Sequence, residues 1–399
     1  VNDFGSTLRR LRQERGLSLT QLSHLTNYSK GYLSKLELGE RTAATATARV
    51  CDSVLAAKGQ LLATLRDDEA ARAEQEQAFS VLSALATTDD NSGYRFRGSV
   101  DVYSTQLWGI YSTLRNMGHH MSPELILPMA LTNVGTANEM LRSARPGSVT
   151  ELFNALAAIK EYAGWMAQER GQNELCKRLT QEAAQLALEA GDRTLEHWKL
   201  IRIADIALYL GDGLQILDLT RRTLAQDGLD DRTRSFAWQR QAQGHALLGD
   251  HSGCLRALDE AQLFFDAATA ADPQSLGIKS VPLPVEITRG WALVDLCVYD
   301  EAVEVLRTQI DAIGTQYVRS RTRFTTRLAL AHASNGDRGE ACETVRSVLH
   351  DIHRVDSNTI RVDLKALAEV LRRRWAGDPA VEDVLAELKP QLDGSAGLG

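Results

Sequence analysis

Apolar residues fall at three- and four-residue spacing along the chain, the pattern of helices that bury one face. Residues 4–15 predict an amphipathic helix with Leu8 and Leu11 inward, ended by Gly16. Ser18 followed by Gln21 is a capping box, so a second helix opens at Leu19 and runs to about Leu25. Thr26 and Asn27 close it, with Asn27 at positive φ, a conformation Asn tolerates. Ser29 then caps a third helix from Lys30 to about Leu38, stopped by Gly39 as a left-handed residue. Leu22, Leu25, Leu33 and Leu36 fall on the facing sides of the second and third helices, leaving Lys30, Gly31, Ser34 and Lys35 on the outer face of the third. Val50, Val54 and Leu55 continue as a fourth helix and residues 60–66 as a fifth.

Residues 67–86 start acidic and hold no helix breaker, which predicts a connecting helix. The Asp-Asn-Ser-Gly cluster within 87–98 marks a boundary. The predicted organisation is therefore a five-helix domain over 1–66, a connecting segment over 67–98 and a helical body over 99–399. In the body, turns recur at Arg170-Gly171, Gly211-Asp212, Gly249-Asp250, Tyr299-Asp300 and Gly336-Asp337. Each follows a helix carrying a small residue (Gly164, Ala204, Ala242, Gly290, Ala329) and precedes one carrying a small or apolar residue (Cys176, Ile216, Cys254, Ala302, Ala341). Five helix pairs lie between 150 and 355, after degenerate helices from 99 and before a closing pair at about 356–393. Residues 272–284 read as a loop inserted between two pairs. The fold class is all-α.

Charge changes this picture. The whole chain carries −7, yet residues 1–66 carry +5 and the remainder −12, so a basic module rides on an acidic body. Duplex binding is then confined to the N-terminal module, whose third helix presents its outer face to a major groove. Lys30 and Lys35 are placed for guanine edges or phosphate, Ser29 and Thr20 for phosphate, and Gly31 for close backbone approach. Gln21 and Ser34 complete the face, and Tyr32 either stacks on sugar or packs inward. Arg41 and Thr42, in the loop flanking that helix, are placed to meet phosphate.

The runs LRRLRQERGLS and SKGYLSKLELGER, with their separation, resemble the helix-turn-helix of phage-repressor-like regulators of the XRE (Cro/cI) type over about residues 4–66. The resemblance implies that Arg12 and Glu37 pair across the first and third helices beneath the recognition helix. The stretch ERTAATAT departs from the proline-containing connection usual in that family.

The body's helix pairs, with small residues at their crossings, resemble tetratricopeptide (TPR) repeats; the unit around Trp238, Ala242, Gly249-Asp250, Leu258 and Ala261 fits best. Terminal prolines are mostly missing and the period is longer than usual. The resemblance implies an α-solenoid whose first helices line a concave face. It places Glu161, Trp165, Gln168, Glu169, Trp198, Asp205, Tyr209, Gln239, Gln243, Trp291, Asp295, Arg323 and Thr326 on that face. Such a lining can bond a peptide backbone and cover its side chains, and its carboxylates point to a basic ligand. Each aromatic has core packing as its plainer role. Arg319, Arg321, Arg323 and Arg327 form a cluster that either clamps a ligand carboxylate or pairs with acidic neighbours.

A repressor-type module joined to such repeats resembles the RRNPP peptide-sensing regulators of bacteria. That implies a short quorum-sensing peptide as effector, a double-stranded DNA operator and a homodimer, since two half-sites need two recognition helices. A small-molecule effector and a scaffold that sequesters a partner protein are the alternatives. No run of about 18 apolar residues and no signal peptide is present, so a cytoplasmic protein without membrane contact is expected. The excess of Arg over Lys hints at a GC-rich bacterial genome. The five cysteines are scattered singly and read as small core residues. Walker-type, HExxH and GxSxG motifs are absent, and His119-His120 and His350/His353 lack a third metal ligand. The expectation is a non-enzyme without cofactor or metal.

Overall fold

The computed structural model describes residues 4–38, 41, 43–65, 100–143, 149–268 and 280–392, and the helices among them are joined by turns with no strand. The chain forms two compact units, residues 1–94 and 95–399. Predictions for Gly39, Thr42, the connecting helix over 67–86 and the boundary over 87–98 lie outside the described residues.

The first unit holds helices α1 (Phe4–Glu14), α2 (Leu19–Thr26), α3 (Lys30–Glu37) and α4 (Thr45–Val54), followed by α5, helical over residues 60–65. The predicted capping box forms, with Gln21 N–H donating to Ser18 Oγ at 3.2 Å and Ser18 N–H donating to Gln21 Oε1 at 2.8 Å. Asn27 adopts φ 58°, and Ser29 caps α3 by accepting from Tyr32 N–H at 3.2 Å. Leu8, Leu22, Leu33, Leu36, Cys51 and Leu61 make the core. A fully buried side chain of this kind contributes about 1.5–3 kcal/mol relative to exposure. Leu25 departs from the predicted packing and is exposed. The inward positions of the short α2 are Leu22 and Thr26, four apart, which turns Leu25 to the flank.

Two further supports carry no signal in the hydrophobic pattern. A Cβ on Gly5 would lie 2.4 Å from the Leu36 carbonyl oxygen, so α1 approaches the end of α3 as closely as only glycine allows. Buried Asp52 accepts from Gly59 N–H at 2.7 Å and Leu61 N–H at 2.9 Å, satisfying the otherwise orphaned donors where α5 begins.

The second unit runs through α6 (Val100–Gly118), α7 (Pro123–Ser143), α8 (Thr150–Glu169), α9 (Asn173–Glu189), α10 (Thr194–Tyr209), α11 (Gly213–Leu224), α12 (Asp231–Leu247) and α13 (His251–Ala267). It continues with α14 (Pro284–Asp295), α15 (Tyr299–Ala312), α16 (Val318–Asn335), α17 (Arg338–Ser347), α18 (Leu349–Val355), α19 (Asn358–Arg374) and α20 (Pro379–Leu392). Helices α8 to α17 are the five predicted pairs, each helix packed on the next in sequence.

The Gly-Asp turns have a clear physical basis. Gly211 and Gly249 take positive φ, ending one helix, and Asp212 and Asp250 then cap the next by accepting from Gln215 N–H and Gly253 N–H, each at 2.9 Å. Asp337 makes no such cap. At the fourth pair the left-handed residue is Cys297, at φ 61°. It is exposed, unlike the other four cysteines, and so is not the core residue its sequence setting suggested. The small residues lie at the crossings: Ala204, Ala242, Ala302 and Ala329 are fully buried, and a Cβ on Gly290 would meet Leu306 at 3.0 Å.

The body closes on itself. Helix α19 packs against α8, and the start of α16 meets the end of α6. Arg319 N–H donates to the His119 carbonyl at 2.9 Å, and the Arg319 guanidinium reaches the carbonyls of Gly118 at 2.8 Å and Met121 at 2.5 Å. No described helix is long and apolar enough to cross a membrane.

Candidate functional site

In the first unit, α3 is held from below and open above. Leu33 and Leu36 are buried, while Lys30, Gly31 and Lys35 are exposed and Ser34 is half-buried. Beneath the helix, the Arg12 guanidinium grips Glu37 through two bonds of 2.6 and 2.9 Å and donates to the Leu17 carbonyl at 2.8 Å. The hydrogen bond from Arg12 to Glu37, against the cost of burial, raises the arginine above its ordinary range. Because that fork fixes α3 against α1, the outer lysines have no structural partner: among the described residues neither forms an ion pair or a side-chain hydrogen bond.

Thr20, Gln21 and Ser29 are exposed on the same unit, two of them as helix caps, and Arg41 is exposed with its guanidinium 5.2 Å from the Tyr32 ring centre. Tyr32 packs inward, its ring 5.5 Å from that of Tyr28 and its hydroxyl 3.2 Å from Thr47 Oγ1. Thr42 lies outside the described residues.

In the second unit a cavity of about 100 Å³ opens along the inner faces of the helix pairs. Of the face residues predicted from the repeat spacing, Glu161, Trp165, Gln168, Glu169, Trp198, Asp205, Tyr209 and Arg323 line it. Gln239, Gln243, Trp291, Asp295 and Thr326 sit in the packing around it instead. Gln239 bonds Thr288 and Ser235, Gln243 accepts from Arg240, Asp295 accepts from Arg327, and Thr326 bonds the Thr322 carbonyl within its own helix. Trp291 lies 4.4 Å from the Arg327 guanidinium.

The lining also includes Tyr111, Arg115, His119, Arg202, Phe236, Arg240, Arg319 and Thr359, none of which the repeat spacing places on the face. Arg202 sits four residues after Trp198 and three before Asp205, so helical spacing alone contained that signal. Tyr111, Arg115 and Thr359 come from helices whose repeat register is too weak to follow.

The lining is not the acidic one from which a basic ligand was expected. Five arginines face three carboxylates, and all three carboxylates are occupied. Glu161 accepts from Arg202 and, at 3.2 Å, from the Trp198 indole. Asp205 accepts from Arg202 at 3.3 Å and from Arg240. Glu169 accepts from Arg319 at 2.9 Å, Ser357 at 2.5 Å and Thr359 at 3.2 Å. Burial works against the Glu169 anion, but Arg319, Arg323 and the two hydroxyls outweigh it and hold the carboxyl below its usual range.

The arginine cluster on α16 divides in the same terms. Arg319 pairs with Glu169, Arg327 pairs with Asp295 and, at 2.8 Å, with Asp363, and Arg321 donates to the Ile310 and Ile313 carbonyls. Arg323 forms no hydrogen bond or ion pair among the described residues; its guanidinium lies 5.0 Å from Tyr209, 5.2 Å from Trp291 and 5.8 Å from Phe324. Burial lowers it from the ordinary arginine range, with Glu169, Asp205 and Asp363 opposing that only at a distance. Arg202, also buried, is shifted upward because Glu161 and Asp205 touch it. His119 is lowered to about 4, by burial first and then by Arg115, His120 and Arg319, so it is neutral at pH 7.

Among the described residues no group of three side chains is arranged to hold a metal ion. A family model described as a helix-turn-helix domain matches residues 3–65. No curated protein and no solved structure matches the chain.

Proposed function

We propose that this chain is a ligand-gated transcription regulator of the XRE type. The helix-turn-helix domain makes a DNA-binding regulator the natural reading. The observation that carries the proposal further is the state of Lys30 and Lys35, two exposed cations on a capped helix whose inner face is already fixed by Leu33, Leu36 and the Arg12–Glu37 fork. They contact the operator in the major groove, with Ser29, Thr20 and Arg41 on flanking phosphates. A homodimer sets two such helices about 34–36 Å apart on a two-fold operator.

The TPR-like body is the sensor, and its cavity is the effector site. A short peptide, the effector that the RRNPP resemblance implies, requires the closed body to open. The enclosed volume of about 100 Å³ favours a small molecule as a second reading. Either ligand acts only if it binds one arrangement of the body more tightly than the other.

Binding to the DNA flanking the protein's own gene, followed by fluorescence anisotropy across a salt series, tests the reading. Tight binding with a steep salt slope, lost in Lys30→Ala/Lys35→Ala while circular dichroism is unchanged, supports it. Salt-insensitive or absent binding by the folded protein favours a scaffold that sequesters a partner.

A further inference from the structure

Resting on the reading of the body as a sensor, we infer that its cavity binds a small organic anion, a carboxylate or phosphate on a body no larger than about one ring, with Arg323 as the anion's partner. The argument is one of unspent donors. Each carboxylate in the lining already accepts from at least two groups, so none is left for a cationic ligand. Donors remain in excess. The Arg323 guanidinium has no acceptor, and Arg115 gives only one bond, to the Tyr111 hydroxyl at 3.0 Å. Gln168, itself 4% exposed, has its Nε2 without an acceptor, and so does the Tyr209 hydroxyl. Leaving a buried donor unpaired costs about 1–3 kcal/mol, more when it is charged, so three such groups around one chamber, the Nε of Arg323, the Nε2 of Gln168 and the Tyr209 hydroxyl, describe a site that an oxyanion completes.

The geometry suits a ring-bearing acid. A guanidinium offers a planar fork that takes a carboxylate or phosphate through two bonds. Tyr209 and Phe324 flank that fork within 5.0 and 5.8 Å, and Trp165, Trp198 and Phe236 supply further apolar walls. A lining with two more cations than anions raises the affinity for a negative ligand inside a body that is acidic as a whole.

The test compares benzoate, phenyl phosphate, benzamide and benzylamine on the full chain at fixed ionic strength, by thermal shift and tryptophan fluorescence. Benzoate or phenyl phosphate at tenfold excess over its dissociation constant should raise the Tm of the body by about 2 °C or more, and the neutral and cationic probes should not. Which of the two anions shifts it more distinguishes a carboxylate from a phosphate source. Arg323→Met should abolish the shift and Arg323→Lys keep part of it. Without ligand, Arg323→Met should melt at or above the parent, since it removes a half-buried cation whose Nε is buried without a partner, whereas Arg202→Met, which breaks a buried ion pair, should melt lower. The inference is overturned if neither anion shifts the Tm, if benzamide or benzylamine shifts it equally, or if Arg323→Met melts as low as Arg202→Met. Anion binding without change in operator affinity would keep this site and remove the sensor reading. Operator affinity that responds only to a neutral or cationic ligand would keep the sensor and remove this inference.

Discussion

Arg319 and Glu169 stand 150 positions apart in the chain and 2.9 Å apart in the fold. Both are almost wholly buried, at 3% and 2% side-chain exposure, and each has its remaining capacity met by further groups: Arg319 donates to backbone carbonyls and Glu169 accepts from hydroxyls. The pair joins the first of the five helix pairs to the last. Both residues line the cavity, so the bridge lies in the wall of the candidate site.

Breaking this clasp from one side leaves a buried charge uncompensated. Arg319→Met is expected to destabilise the second unit by about 3–5 kcal/mol, while Arg319→Met/Glu169→Leu recovers a large part of that loss. Urea denaturation read by tryptophan fluorescence measures both. Additive losses in the double variant would show that the two side chains act independently. The first unit, whose described residues contain no tryptophan, is followed separately by mobility shift.

His119 gives the body a pH dependence of known sign. Its folded value of about 4 lies below the ordinary 6.5, because burial and the arginines Arg115 and Arg319 disfavour the imidazolium. The unfolded chain therefore takes up the proton first. The stability this neutral histidine contributes is whole above pH 6.5 and is lost progressively as pH falls toward 4. His119→Phe, which keeps a ring edge-on to Tyr317, should flatten the decline in Tm between about pH 6.5 and 5. An unchanged slope would assign the decline to other groups.

What could be read from sequence was whatever a local rule decides. The cap at Ser18, the left-handed Asn27 and the Gly-Asp turns each depend on a few neighbouring residues, and the helices begin and end accordingly. The Arg12–Glu37 fork followed from family resemblance rather than from spacing. The body's face was legible where the small-residue register was clear and blurred elsewhere, so Glu161 and Arg323 were found while Arg115 and Thr359 were not. Closure of the body depends on the sum of small rotations between successive pairs, which no local pattern encodes. The ion pairs that occupy the cavity's carboxylates depend on that closure in turn, and a count of acidic residues along the inner face left out the arginines Arg115, Arg202, Arg240 and Arg319 that join them there.

The basic face of α3 separates two kinds of lysine by their effect on salt dependence. A lysine on a phosphate should, when changed to alanine, weaken binding to all sequences alike and reduce the salt slope by about one. A lysine on a guanine edge should cost about 1–3 kcal/mol on the operator and relax its specificity at one position. Lys30→Ala and Lys35→Ala, measured singly by anisotropy on operator and scrambled duplexes, assign each residue. Loss of neither slope nor specificity in either variant would move the contact surface away from this helix.

Two glycines of the same unit should respond in opposite ways to one methyl group. A methyl on Gly5 would stand 2.4 Å from the Leu36 carbonyl oxygen, so Gly5→Ala must push α1 from α3, at a cost of about 1–3 kcal/mol in thermal or urea unfolding. Gly31 is exposed within α3, and a methyl there would meet nothing within 4 Å. Since glycine inside a helix is about 0.5–1 kcal/mol worse than alanine, Gly31→Ala should stabilise the unit. If the α3 backbone comes close to the duplex at this point, the same change should weaken operator binding, because the methyl then occupies the space between backbone and DNA. A variant that is more stable yet binds the operator less tightly separates the folding role of this position from its contact role; a stabilised variant with unchanged affinity would place Gly31 outside the interface.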